Sequence, residues 1–167
     1  MHNQQLTLSD GRKLGFDQRG KKDGKPVFYF HGSPSSRLES RLFLQDDVLD
    51  ELKIRLISID RPGIGLSDYL LGRSLLNWPH DVLTLADHLN IDRFAILAYS
   101  LGGPYGVTCG YAIPGRLTNV GIVSGSAIFS NAKLMDNVNQ GTRNYLNLPR
   151  EKPWMAKIFL NGMRLVG

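Results

Sequence analysis

Four apolar runs of β-forming residues, each closed by a loop of small or polar residues, constrain this chain more than any other feature. Pro26-Val-Phe-Tyr-Phe30 stops at His31-Gly32-Ser33-Pro34, and Ile54-Arg-Leu-Ile-Ser-Ile59 stops at Asp60-Arg61-Pro62-Gly63. Arg93-Phe-Ala-Ile-Leu-Ala98 stops at Tyr99-Ser100, and Leu117-Thr-Asn-Val-Gly-Ile-Val123 stops at Ser124-Gly125-Ser126. The unbroken apolar character of the first run predicts a strand buried on both faces, as in a parallel sheet. Helical spacing lies between the runs. It covers Arg37 to Leu52, with Leu38, Leu42, Leu49 and Leu52 among its apolar positions. It returns after Asn77, read as an N-cap with Pro79 in the first turn, where Val82, Leu85, Ala86 and Leu89 share one face and Asp81, Thr84 and His88 the other. Upstream, Gln5–Leu8 and Lys13–Phe16 flank Ser9-Asp10-Gly11-Arg12, which predicts a β-hairpin. The expected fold class is therefore α/β: a doubly wound, mostly parallel sheet with an N-terminal hairpin, its ligand crevice outside the carboxyl ends of the strands.

Composition narrows the function classes. The net charge of +5 over 167 residues is scattered, and Arg19-Gly-Lys21-Lys22 reads as a solvated turn, so nucleic acid is not an expected partner. The single cysteine, Cys109, allows no internal disulfide and fits a reducing compartment. No CxxC, no HExxH and no His/Cys grouping has metal-ligand spacing, so neither metal nor organic cofactor is expected. The N-terminus lacks the form of a signal peptide and no apolar run has membrane-spanning length, which leads to a cytoplasmic expectation.

The chemistry centres on Ala98-Tyr99-Ser100-Leu101-Gly102-Gly103, a serine between small residues where a strand meets a helix. Small flanking residues are what a strained serine turn needs, and the helix that follows aims N–H groups at charge developing beside the hydroxyl. With the loops His31-Gly32-Ser33-Pro34 and Asp60-Arg-Pro-Gly63-Ile-Gly65-Leu-Ser67, in this order and each after a strand, residues 1–126 resemble the core of the α/β-hydrolase superfamily. The nearest likeness is to bacterial hydrolases with a serine nucleophile and a helical cap. The resemblance implies Ser100 as nucleophile, with the backbone N–H groups of Leu101 and Ser33 as oxyanion donors. It also implies that His31, Gly32, Pro34, Tyr99 and Gly102 shape the loops around the substrate, with His31 a hydrogen-bonding residue of the oxyanion loop rather than a base. Asp60 and Arg61 are expected to brace the turn at Gly63 and Gly65, and Gly102, Gly103 and Cys109 to pack behind the nucleophile. Serine, in place of the aspartate that dehalogenase and epoxide hydrolase relatives carry there, points to ester, thioester, amide or carbon–carbon cleavage. The His-Gly-Gly-Pro-Gly loop usual in proline-peptidase relatives is not present, and esterase-like action on a small acyl substrate is the leading expectation.

The resemblance breaks in one respect. The superfamily's order is serine, then acid, then histidine, yet His2, His31, His80 and His88 all precede Ser100. The later acidic residues are Asp136 and Glu151. His80 and His88 read as surface residues. Residues 127–167 are expected to begin a helical cap, with Asn131–Asn147 polar and loosely helical and Lys152–Leu160 an amphipathic helix. On this reading the chain is the N-terminal part of a hydrolase, C-terminally truncated, with the Leu117–Val123 strand an exposed edge open to self-association or a partner. The competing expectation is a catalytically inactive pseudo-hydrolase that binds a ligand or partner. A third, that Lys152–Leu165 lies on a membrane surface, carries less weight because cap helices share that pattern.

Overall fold

In the computed structural model, which describes residues 2–126 and 138–164, the chain divides into two compact units, 1–127 and 128–167. The first holds a six-stranded sheet in the order β1-β2-β4-β3-β5-β6. The strands are β1 (Gln4–Thr7), β2 (Lys13–Gly20), β3 (Lys25–Phe30), β4 (Ile54–Ile59), β5 (Phe94–Tyr99) and β6 (Leu117–Val123). β1 and β2 form the antiparallel hairpin, paired from Gln4 with Phe16 to Thr7 with Lys13, and β2 runs antiparallel to β4. The remaining pairings, β3 with β4, β3 with β5 and β5 with β6, are parallel. The chain thus steps from β3 to one side and then returns to the other. That reversal opens a crevice at the carboxyl ends of β3 and β5, where such sheets bind ligands.

β3 shows why an unbroken apolar run belongs at the centre. Phe28 and Phe30 point into the larger core, and Tyr29 points to the opposite face with Leu49 and Leu56. On the first side lie α3 (Trp78–His88) and α4 (Gly103–Ala112), which bring Trp78, Val82, Leu85 and Cys109 onto Phe28, Phe30, Ile57 and Ile96. Rings lock this side together, Phe28 against Phe94 at 4.3 Å and Phe30 edge-on to Trp78 at 5.2 Å. β6 forms the far edge, with Val120, Ile122 and Val123 exposed.

Four local expectations are corrected. Arg37–Leu52 is not one helix but a 3-10 turn at Arg37–Glu39, a short α1 (Ser40–Phe43) and α2 (Asp46–Glu51), with Leu44 extended between them. Leu38, Leu42 and Leu52 are exposed, because the Arg37 and Glu39 side chains turn inward instead and claim the buried positions. Asn77 stands at the N-cap position of α3 but its side chain does not cap it; the residue is αR, and its side-chain oxygen accepts from the N–H of Ser74 at 2.7 Å, closing the turn before the helix. Asp81 is buried and not on a solvated face, since Arg12 crosses from the hairpin to pair with it at 2.8 Å. Arg19 is likewise drawn in, its guanidinium 2.7 Å from Asp46 and 2.6 Å from the carbonyl of Leu44.

The second unit contains α5 (Gln140–Glu151) and α6 (Pro153–Arg164), which pack on each other. Helix is present over Lys152–Leu160 from Pro153 onward, with Trp154 and Ile158 exposed. Of the expected loosely helical stretch Asn131–Asn147, residues 131–137 lie outside the described residues, as do Ala127 at the expected boundary and Leu165 of the membrane-surface reading. Among the described residues, no helix is long and apolar enough to cross a membrane.

Candidate active site

Ser100 directly follows β5 and opens a 3-10 turn, Ser100–Gly102, that leads directly into α4. Its φ of +50° is in the left-handed region, which costs a residue with a β-carbon on the order of 1 kcal/mol. The surroundings enforce that conformation. The Ser100 carbonyl accepts from the N–H of Gly103 and from that of Ser126 at 3.0 Å, which turns the other end of the same peptide, the Leu101 N–H, the opposite way. Gly102 permits the sharp reversal, because a β-carbon there would stand 2.3 Å from the Phe30 carbonyl oxygen.

The loop after β3 comes alongside. A β-carbon on Gly32 would lie 3.2 Å from each of Ser100 Cβ, Tyr99 Cδ1 and Glu39 Oε1, so these three groups converge on one spot. Both ends of the Gly32 residue are held. Its N–H donates to Glu39 Oε2 at 2.7 Å, and its carbonyl accepts from Arg61 Nη2 at 2.6 Å and from His31 Nδ1 at 2.8 Å. The Gly32–Ser33 peptide is trans, so the held carbonyl of Gly32 sends the Ser33 N–H away from Arg61. The Ser33 and Leu101 N–H groups have no backbone partner among the described residues.

Two side chains that sequence reasoning did not single out complete this frame. Glu39 sits under the loop, where its Oε2 also accepts from the Tyr29 hydroxyl at 2.8 Å; burial and this carboxylate keep the Tyr29 phenol protonated by raising its pKa. Asp17, on β2, accepts from the Asn3 N–H at 2.7 Å, from Arg37 Nε at 3.0 Å and from Arg41 Nη2 at 2.7 Å. Burial works to raise the Asp17 pKa, and those three donors outweigh it and hold the carboxyl below its usual value. Neither residue carries a local signal. Both were legible only through partners 7 to 24 positions away.

Asp60 does brace its turn: Oδ2 accepts from the Leu66 N–H at 2.8 Å and from Arg37 Nη1 at 2.7 Å, while Oδ1 accepts from the Arg37 N–H at 2.8 Å. The Arg61 carbonyl also holds this turn, accepting from the Ile64 N–H at 2.9 Å. The Arg61 side chain leaves the turn and reaches the Gly32 carbonyl and, through Nη1 at 3.0 Å, the Leu101 carbonyl. Its guanidinium also lies 5.1 Å from the centre of the Tyr105 ring. Burial lowers its pKa from the ordinary guanidinium value.

His31 is fully buried. Its Nδ1–H donates to the Gly32 carbonyl and its Nε2 accepts from the Arg61 N–H at 3.4 Å, a pairing that fixes one tautomer. Burial, aided by the Arg61 charge, pushes its pKa down to about 3, so the ring stays neutral. His80 and His88 are exposed. The Ser100 hydroxyl makes no hydrogen bond among the described residues, and within them no group of three or more His, Cys, Asp or Glu could hold a metal ion.

No family model matches the chain. An uncharacterized hydrolase of Bacillus subtilis, YcgS, is 31% identical over 115 residues, 69% of this chain and 39% of its own length. A proline iminopeptidase of Xanthomonas citri is 29% identical over 110 residues, 64% of this chain and 33% of the other. Among solved structures, a hydrolase from Pseudomonas aeruginosa superposes with a TM-score of 0.73 at 25% identity, covering 95% of this chain and 58% of that one. The chain thus spans less than half of these curated relatives and little more than half of the solved hydrolase. Strand order, the serine turn and these likenesses together place the chain in the α/β-hydrolase superfamily.

Proposed function

We propose that this chain supplies the nucleophile and the oxyanion donors of a serine hydrolase that cleaves small acyl esters. One observation carries the reading. A serine held at positive φ packs against Gly32 of the loop after β3, and the N–H groups of Ser33 and Leu101 belong to peptides whose carbonyls are taken up by other donors. Ser100 Oγ would attack the acyl carbonyl and lose its proton to a base, while the carbonyl oxygen, becoming negative, draws on the two N–H groups. Collapse of that tetrahedral adduct would expel the alkoxide and leave an acyl-serine, which water then hydrolyses. His31 is no base for this step, being neutral, buried and engaged at both ring nitrogens. The acid and histidine of the triad are therefore assigned to protein outside residues 1–167, and residues 127–167 to the start of a cap. The hydrolase and iminopeptidase names of the relatives support acyl transfer in general; the serine supports ester or amide bonds alike.

The test is acylation by p-nitrophenyl acetate, followed as a burst of nitrophenolate and by intact mass. We expect one acetyl group, on the Ser100 peptide, slow to form in the isolated chain because oxyanion donors alone retain a small part of the full rate. Its loss in Ser100→Ala supports the reading, and acetyl mapped elsewhere or absent sinks it. A second reading, a partner-binding module, is favoured by the apolar exposed residues of β6, Val120, Ile122 and Val123, which would suit strand addition or self-association.

A further inference from the structure

We propose that Arg61 is a positioning residue that holds both oxyanion segments in register and polarises one of their donors. The inference rests on the hydrolase reading of Ser100. One planar guanidinium spans the two segments, Nη2 on the Gly32 carbonyl at 2.6 Å and Nη1 on the Leu101 carbonyl at 3.0 Å. These are the loop after β3 and the turn after β5, which no strand pairing joins beyond Phe30 and Ala98. A rigid fork with two parallel donors sets the distance between them in a way that a single flexible ammonium does not.

The polarity of the peptide makes this more than a tether. A cation on the Gly32 carbonyl draws electron density toward that oxygen, and the Ser33 N–H at the far end of the same peptide becomes a stronger donor. The effect needs a cation whose charge is not neutralised nearby. Arg61 meets this condition: among the described residues it forms no ion pair, whereas Arg12, Arg19, Arg37, Arg41 and Arg116 each pair with an aspartate. Its other support is the face of Tyr105, which steadies the cation without cancelling it. Glu39 opposes the arrangement from the other end of Gly32 by accepting its N–H, so the glycine is stretched between an anion and a cation.

A role in positioning predicts selective loss of the tetrahedral state. The experiment compares two inhibitors on protein expressed from its complete reading frame: phenylboronic acid, which adds to the serine oxygen as a tetrahedral anion, and planar benzamide. The ratio of their inhibition constants is independent of the folded fraction, because unfolded protein binds neither. In Arg61→Met we expect phenylboronate to weaken about 100-fold while benzamide stays within about threefold, the scale on which a lost oxyanion donor acts. Arg61→Lys, which reaches one carbonyl, should lose about tenfold in the same ratio. It also serves as the deciding variant if Arg61→Met does not fold. Arg12→Met, which breaks a pair with Asp81 that hydrogen-bonds to neither oxyanion segment, should leave the ratio unchanged. An unchanged ratio in the Arg61 variants, or an equal change in Arg12→Met, overturns the proposal. Failure of wild-type protein to form the boronate on Ser100, read by protection of Ser100 from acetylation, overturns the hydrolase reading and this proposal with it.

Discussion

Arg37 and Arg61 are both buried beside the same crevice, and they are treated in opposite ways. Arg37 is saturated by carboxylates, with Asp17 at 3.0 Å and Asp60 at 2.7 Å, and a further hydrogen bond to the Asn3 side chain. Among the described residues, the Arg61 side chain meets only carbonyl oxygens, a histidine and a ring. The first arrangement cancels charge and pins the hairpin, the broken helical segment and the loop after β4 to one another. The second leaves a positive charge on the carbonyls of Gly32 and Leu101, with no carboxylate paired to it among the described residues. Buried charge in this fold thus has two uses, and whether a carboxylate is present tells them apart.

The comparison breaks most visibly at Asp60. Asp60→Ala strips Arg37 of one anion and leaves it buried, and we expect a loss of about 3–5 kcal/mol in urea unfolding; a loss under about 1 kcal/mol would mean the network is not a fastener. Gly102→Ala comes next. Its β-carbon would press on the Phe30 carbonyl at 2.3 Å, and about 1–3 kcal/mol of stability should go together with acetylation of Ser100; normal acetylation would show that the turn can shift. The third test is pH. The unfolded chain takes up a proton on His31 near pH 6.5, and the folded one refuses it until about pH 3, so stability falls as pH drops through that window. The slope should approach about 1.4 kcal/mol per pH unit, and His31→Gln should flatten it between pH 6 and about 4, above the range where Asp17 adds its own loss. An unchanged slope in His31→Gln would place the titration elsewhere. The smallest effect is expected from His80→Ala and His88→Ala, within about 0.5 kcal/mol and without change in acetylation, since both side chains are exposed. A loss of acetylation in either would bring a surface histidine into the chemistry.

Much of the frame was legible because it depends on local pattern. The apolar runs mark β3, β4, β5 and β6 to within a residue or so, and Ser100 with Gly102 marks the turn, because period and small-residue placement are properties of short stretches. What escaped depends on long-range electrostatics. Helical spacing over Arg37–Leu52 is real in the sequence, but the Arg37 guanidinium is recruited by Asp17 and Asp60, respectively 20 and 23 positions earlier and later, and the helix breaks. Asp81 was assigned to the solvent face for the same reason: its partner, Arg12, is 69 positions away. Arg61 shows the limit well. Its neighbour Asp60 and its own carbonyl do what turn residues are expected to do, while its side chain serves two other loops.

Cys109 packs in the core behind the Ser100 turn, and its position makes it a reporter. It is the single thiol of the chain, fully buried on α4 where that helix covers β5, and burial pushes its pKa up to about 12. A thiol so placed is neutral and out of reach while the helix is seated. Its reaction with an alkylating reagent therefore counts openings of the helix that begins just after the Ser100 turn. The molecule carries its own clock for the integrity of that turn, readable in native protein with no label introduced.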